Sequence, residues 1–234
     1  MKYLNKKASV VTATIMAASL LSACGSSSDD DDVSKMSYDI TVTNLSSNQP
    51  MSPFAAKLHA SSFTAWQVGA AASVALEELA EGGDNASVLA LSEAGVYSSV
   101  SGGGAIGPGS SENITIESGE YSDINLTLVS MLVNTNDAFT GRTNLDLSGL
   151  TIGTSQTHYL PVYDAGTEGN SELDDTIPGP ADGGEGFNMA RDDVDYVARH
   201  PGVVGVDQGY SESVLNSTHG FDSPVAMFTI TRTQ

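Results

Sequence analysis

The chain has 234 residues, of which 29 are acidic and nine are lysine or arginine, so its formal net charge at pH 7 is −20. This excess of negative charge argues against nucleic acid as a partner, because too few basic residues are left to form a patch that neutralises phosphates. With a single cysteine the chain forms no internal disulfide, and its length is sufficient for a domain held by a hydrophobic core.

Residues 1–23 have the pattern of a bacterial lipoprotein signal peptide. Lys2, Lys6 and Lys7 form a positive region, and the apolar stretch that follows is too short to span a bilayer comfortably. The segment ends in Leu-Ser-Ala-Cys24, which resembles the bacterial lipobox, in which the cysteine is lipidated. We therefore expect a lipid on Cys24 and a place in the bacterial cell envelope, as an outer-membrane lipoprotein or at the cell surface. An ordinary signal peptide with an incidental cysteine is the alternative.

Residues 24–36 are predicted to form a flexible acidic tether. Glycine, serine and four consecutive aspartates at 29–32 leave almost no apolar side chain to bury. The adjacent carboxylates repel one another and have no scaffold, so a solvated spacer is favoured over a metal site. Contact with a membrane is expected only through the lipid anchor. One folded domain is expected over residues 37–234.

Strand patterns open and close this domain. Tyr38, Ile40 and Val42 alternate with polar residues, as in a half-buried strand, and residues 225–231 form a second β-rich run. Further strands are predicted at residues 113–116, 124–133 and 157–163. The run 124–133 ends as a continuous apolar stretch, which is expected where a strand is covered on both faces.

A helical stretch interrupts the strands. Apolar residues recur at helical spacing from Val68 to Leu79, and Gly82-Gly83 ends the helix. A second short helix is predicted within residues 84–93. Because no later crossover helix follows, we expect a mainly β fold, an antiparallel β-sandwich with a short helical insertion. The acidic, glycine-rich segment 164–199 is predicted to be an ordered surface loop of the kind that carries function.

Two acidic segments, Asn136–Phe139 and Tyr163–Glu168, each follow an apolar strand-like run. From neighbouring loops they could present Asp137, Asp164 and Glu168 to one hard cation such as calcium. No comparable set of residues indicates catalysis. The sequence therefore favours a calcium-binding module over an enzyme.

The order of short motifs along nearly the whole predicted mature chain resembles that of a spondin N-terminal domain. In chain order these motifs are Tyr38-Asp39-Ile-Thr-Val-Thr-Asn44, Gln49-Pro50-Met-Ser52-Pro53, His59, Trp66-Gln-Val-Gly69, Asn136-Asp137-Ala-Phe-Thr-Gly141, Tyr163-Asp164-Ala-Gly-Thr-Glu168, His200-Pro201-Gly202 and Pro224-Val225-Ala226. Each motif is weak by itself, and the Asp-Ala-Gly-Thr-acid segment is the most specific. The chain is similar to bacterial lipoproteins that carry this domain alone.

The resemblance implies a C2-like antiparallel β-sandwich with calcium bound between loops at one end. It implies Asp137, Asp164 and Glu168 as the metal ligands. Two positions depart from the animal members, which have Asp in place of Glu168 and Trp in place of Ala138. The longer reach of Glu168 is compatible with the variable geometry of calcium. An alternative role for Asp164 is to cap the turn through Ala165.

The expected function is that of a lipid-anchored, calcium-binding module for adhesion, or for binding a protein or glycan. A calcium-dependent hydrolase and a metal-free structural lipoprotein are the alternatives. A glycosidase needs a cleft with one protonated carboxyl, whereas these acidic loops are expected to be solvent-exposed and ionised. The four histidines lack zinc-site spacing. His59 and Trp66 are predicted to pack near the helical insertion, and His200 to lie in a turn.

Overall fold

A computed structural model describes residues 35–234. The predicted signal peptide, Cys24 and the tether up to residue 34 lie outside the described residues. The first strand begins at Lys35, two residues before the predicted start of the domain at residue 37. Met36 is buried and pairs with Ser118, so the backbone already belongs to the sheet at this point.

The described residues form ten strands and two α-helices. The strands are β1 (Lys35–Asn44), β2 (Ala55–His59), β3 (Val96–Ser101), β4 (Ser111–Gly119), β5 (Asn125–Met131), β6 (Ala138–Asp146), β7 (Ser155–Leu160), β8 (Val162–Asp164), β9 (Ala198–Arg199) and β10 (Ala226–Arg232). The helices are α1 (Val74–Gly82) and α2 (Ala86–Ala90), and short 3-10 turns lie at Val206–Gln208 and Ser217–His219. All strand pairs are antiparallel. One sheet has the order β4-β1-β10-β7 and the other β3-β2-β5-β6-β8-β9.

The two sheets share one hydrophobic core. Tyr38, Ile40 and Val42 of β1 are fully buried in it, which confirms the alternation read from the sequence. Phe228 and Ile230 of β10 pack into the same core. The predicted fold class is confirmed: the chain is mainly β, with two antiparallel sheets and a short helical insertion.

Strand β5 is buried along its whole length because both of its faces are covered. Leu126 and Leu128 pack into the core between the sheets. Val129 and Met131, on the other face, pack in a second apolar cluster with Leu79 of α1. The sequence-based expectation for this strand is confirmed.

Helix α1 begins later than the sequence predicts. The Ser73 hydroxyl accepts a hydrogen bond from the Leu76 amide (3.2 Å) and caps the helix before Val74. The predicted helical start at Val68 is wrong, because the Gly69 amide donates instead to the carbonyl of Val197 (2.8 Å). The end of α1 at Gly82 and the presence of a second short helix are confirmed, although α2 ends at residue 90.

Trp66 lies between the six-stranded sheet and α1, in one apolar cluster with Leu79. The Trp66 ring packs edge-on against Phe139 with 5.2 Å between ring centroids. His59 is buried, and its Nε2 lies 2.8 Å from the Thr127 hydroxyl. The packing predicted for Trp66 near the helical insertion is confirmed, and His59 is hydrogen-bonded to β5 and packs against Phe63.

The predicted strand at 157–163 is two strands in different sheets. Pro161 separates them, and it has no backbone N–H to donate to a ladder. β7 pairs with β10 in the four-stranded sheet, whereas β8 pairs with β6 in the other. Residues 165–197 then run without helix or strand, as the predicted loop. Within residues 35–234 no helix has the length and hydropathy needed to cross a membrane.

Candidate metal centre

Two of the three predicted carboxylates come together where β6 begins and β8 ends. Asp137 immediately precedes β6, and Asp164 is the last residue of β8, paired with Ala138. A ring nitrogen of His200, which follows β9, completes the group. One ligand atom from each side chain lies within 4.8 Å of the others. We call Asp137, Asp164 and His200 the Asp137 cluster.

Asp137 is a fully buried acid whose two oxygens differ. Oδ2 accepts hydrogen bonds from the backbone amides of Thr167 (2.9 Å) and Glu168 (3.2 Å). Oδ1 is buried and has no hydrogen-bond partner. Burial, and next the charge of Asp164, raise the pKa of Asp137 far above its usual range. A buried carboxylate with a free oxygen is costly unless a cation or donor meets it.

Asp164 both shapes its own turn and contributes to the cluster. Its Oδ1 accepts from the Gly166 amide (2.7 Å) and its Oδ2 from the side-chain amide of Asn170 (2.6 Å). The turn-capping role considered for Asp164 is therefore confirmed, and it coexists with a position beside Asp137. Gly166 has a φ of 71°, and a Cβ there would overlap the carbonyl of Tyr196. Glycine is required at this position of the Asp-Ala-Gly-Thr segment. Burial raises the pKa of Asp164.

The structure does not bring Glu168 into the Asp137 cluster. Its backbone amide faces Asp137, and its carboxylate instead accepts a hydrogen bond from the Asn136 side chain at Oε1 (2.8 Å). The side chain lines a separate cavity of about 280 Å³ together with three other acids, Glu81, Glu185 and Asp192. We call it the Glu81 cavity. Burial raises the pKa of Glu168 to about 7. The predicted set of three carboxylates on one ion therefore does not match this geometry.

His200 lies beside the two carboxylates, and its Nε2 has no hydrogen-bond partner. Its Nδ1 accepts from the Gly202 amide (3.0 Å), so we assign the ring proton to Nε2, which is buried and has no partner. Burial lowers the pKa of His200 to about 4, so the ring is neutral at pH 7. In this tautomer Nε2 has no lone pair for a metal. The available ligands are then carboxylate oxygens, which suit a hard cation such as calcium.

Asp193 is a third carboxylate close to the cluster that the sequence-based prediction omitted. Burial and then the charge of Asp164 raise its pKa, and Asp193 in turn raises the pKa of Asp137. The acid-rich run from Asp192 to Asp195 is the sequence signal that could have identified it. His200 was assigned only to a turn, since nothing in its local sequence indicates a neighbouring carboxylate.

The expectation that these acidic loops are solvent-exposed is wrong for the two residues that meet. Asp137 has no exposed surface, and Asp164 is 5% exposed. The backbone amides of Gly166 and Thr167, in the Asp-Ala-Gly-Thr turn, donate hydrogen bonds to Asp164 and Asp137 respectively. Hydrogen bonds from the protein, rather than contact with water, therefore stabilise the ionised form of these two carboxyl groups.

No protein-family model matches the chain, and no curated protein matches it. The resemblance to a spondin domain stays a prediction that rests on the order of motifs.

Proposed function

We propose that the chain is a lipid-anchored binding module of the spondin type, stabilised by calcium held between Asp137 and Asp164 at the bacterial cell envelope. The observation that carries the proposal is the state of Asp137. Its carboxylate is fully buried beside a second carboxylate, and its Oδ1 has no partner. A cation at this position would satisfy the free oxygen and offset the repulsion between the two acids.

The charge balance of the region supports a bound cation. The ion pairs within residues 35–234 are formed by Lys35 and Arg191 and include neither Asp137 nor Asp164. Asp193 adds further negative charge nearby. Calcium takes six to eight oxygen ligands in flexible geometry, including carboxylates, backbone carbonyls and waters, so an irregular loop suits it.

The surface beside the cluster supports a binding role. The loop that carries Asp193 also presents Met189, Val194 and Tyr196, which are 83%, 51% and 45% exposed. The adjacent Val197 is fixed to the turn before α1 by two backbone hydrogen bonds with residues 69–70 (both 2.8 Å). Neighbouring exposed apolar side chains on an ordered loop are typical of a contact surface. We propose a protein or glycan partner for this surface.

Burial of Asp137 disfavours the hydrolase alternative. A raised pKa is a property of catalytic acids, but a catalytic acid must reach its substrate. Asp137 has no exposed surface, so a glycan or peptide cannot contact its carboxyl in this conformation. A calcium ion held here would stabilise the loops rather than perform a reaction.

The experiment is a calcium titration of the purified protein, with its melting temperature as readout. Calcium sites of extracellular modules have a Kd of about 10⁻⁴ to 10⁻³ M, and we expect an affinity in this range. At a hundredfold excess over Kd, bound calcium stabilises the folded state by about 2.7 kcal/mol, which raises the melting temperature by roughly 5–10 °C. We expect EDTA to reverse this rise.

Asp137→Asn and Asp164→Asn should each reduce the calcium-dependent rise, because each removes a ligand charge from the cluster. Asp39→Asn is the matched control, since Asp39 is an exposed carboxylate on the other sheet. It should respond to calcium as the unaltered chain does. An unchanged response in both cluster variants would contradict the proposal.

A further inference from the structure

A second group of carboxylates lies in the Glu81 cavity, apart from the Asp137 cluster. Glu81 comes from the last turn of α1, and Glu168, Glu185 and Asp192 come from the long loop 165–197. Two chain segments that are distant in sequence thus direct four acids to one cavity of about 280 Å³. This convergence is a product of the tertiary fold.

Two oxygens in this cavity have no protein partner. Glu81 is 1% exposed; its Oε2 accepts from the Asn188 amide (2.9 Å), and its Oε1 is buried without a partner. Glu168 is likewise bonded at Oε1, by Asn136, and unpartnered at its buried Oε2. Buried polar atoms without partners are uncommon, and each calls for an explanation such as an ion.

Within residues 35–234, none of these four acids forms an ion pair. Within residues 35–234, the residues that line the cavity include no lysine or arginine. The nearest guanidinium, that of Arg191, bonds both oxygens of Glu77 (3.1 and 2.6 Å) and also the carboxylate of Asp195. Its donors are therefore directed to other carboxylates.

We infer that the Glu81 cavity binds a second hard divalent cation of the calcium type, with Glu81 and Glu168 as its charged ligands. The hydroxyl and amide groups of Ser171, Thr176 and Asn188 also line the cavity and supply neutral oxygens. A set made only of oxygens selects calcium over softer metals. The ion would join the end of α1 to the long loop. It shares no ligand with the Asp137 cluster, so the inference stands independently of the proposed function.

The test counts calcium ions bound per chain by equilibrium dialysis of the purified protein. We expect two ions for the unaltered chain, one for Glu81→Gln, one for Asp137→Asn and none for the double variant. Glu81→Gln keeps the shape of the side chain and removes a buried charge, so the fold should survive, which circular dichroism checks. A Glu81→Gln protein that still binds two ions, or an unaltered chain whose only ion is lost in Asp137→Asn, would overturn the inference.

Glu168→Gln decides which ion this residue serves. We expect Glu168→Gln to remove the same ion as Glu81→Gln, so that combining the two changes leaves one ion and combining Glu168→Gln with Asp137→Asn leaves none. If the Glu168→Gln, Asp137→Asn double variant retains one ion, Glu168 belongs to the Asp137 cluster and the assignment is overturned.

Two further variants test whether the loss of an ion is specific to the cavity ligands and not a consequence of misfolding. Glu78→Gln, on α1 but not lining the cavity, is the matched control and should leave two ions bound. Glu185→Gln changes an exposed acid of the cavity and should weaken only the second ion, by about two- to fivefold. Loss of an ion in Glu81→Gln with no loss in Asp137→Asn would support this cavity while contradicting the proposed function.

Discussion

The outer faces of the two sheets differ, because one is open to solvent and the other is covered by the helical insertion. On the four-stranded sheet, the outer face is open and carries hydroxyl pairs such as Thr43 with Ser111 (2.8 Å) and Thr157 with Thr229 (2.9 Å). On the six-stranded sheet, α1 packs against β5 and β6. One sheet presents polar side chains to water, and the other buries its second face under the helical insertion.

The buried acids belong to the covered sheet. Asp137 and Asp164 lie at the ends of its strands, and Glu81 lies on the helix that covers it. A carboxylate on an open face is solvated and needs no partner, whereas a covered one must find a donor or a cation. Ion binding is therefore expected where a second layer of structure excludes water from acidic side chains.

The largest expected effect is on the covered sheet, at Gly141 of β6. A Cβ there would overlap the carbonyl oxygen of Leu128 and lie 2.9 Å from the Trp66 ring. Because the obstacle includes backbone, Gly141→Ala should lower the free energy of unfolding by about 3 kcal/mol in urea denaturation. Gly149→Ala is the control, since a Cβ at Gly149 meets nothing within 4 Å. Equal stability of the two variants would contradict the close packing of this layer.

A smaller effect is expected from pH in the metal-free protein. Burial raises the pKa of Glu168 from 4.5 to about 7, and the pKa of Asp137 is also raised. The folded state therefore keeps protons that the unfolded chain has released, so the free energy of unfolding falls as pH rises from the unfolded to the folded pKa of these acids. His200 has the opposite sign, but its pKa is lowered from 6.5 to about 4, so it contributes only below pH 6.5.

Between pH 6.5 and 8 we expect the free energy of unfolding in EDTA to fall by roughly 2 kcal/mol. Urea denaturation at several pH values measures this decline. Saturating calcium should flatten it, since an ion stabilises the ionised carboxylates. The Asp137→Asn, Glu168→Gln double variant in EDTA should also lose most of it. A stability that rises over this window would contradict the burial of uncompensated acids.

The smallest effect is expected on the open sheet. Thr157 is exposed, and its hydroxyl lies 2.9 Å from that of Thr229 across the strand pair. Water can replace this hydrogen bond, and valine has high β-propensity, so Thr157→Val should change the free energy of unfolding by at most about 0.5 kcal/mol. A loss above 1 kcal/mol in urea denaturation would show that this face is not simply a solvated surface.

Strands with a strong local pattern could be predicted from the sequence, and strands without one could not. β1 and β10 follow the alternation of one open and one buried face. β2 was not predicted, because all five of its residues are buried, Lys57 among them. The Lys57 ammonium donates to the carbonyls of Val88 and Leu89, near the end of α2, both at 2.9 Å. From the sequence alone, a buried lysine whose hydrogen bonds go to a distant helix cannot be distinguished from an exposed lysine.

Part of the candidate site could be predicted for a similar local reason. Asp137 and Asp164 each stand at the end of a strand-like run, and strands that end together bring their acids together. Glu168 was predicted from its place in the acidic segment Tyr163–Glu168 and from the resemblance to a spondin domain, whereas the direction of its side chain depends on Asn136 and on the Glu81 cavity. His200 was assigned to a turn, since its place beside the carboxylates depends on how the long loop returns to the sheet.

The sequence by itself determined the β-sandwich class, the helical insertion and the pair of acids at the strand ends, because each follows from periodicity or turn chemistry over a few neighbouring residues. Only the tertiary structure decided that the acids are buried, that Glu168 joins Glu81 rather than Asp137, and that His200 lies beside the two carboxylates. The physical reason is that burial and charge compensation depend on segments far apart in the chain, which meet only when the long loop and α1 close over the six-stranded sheet.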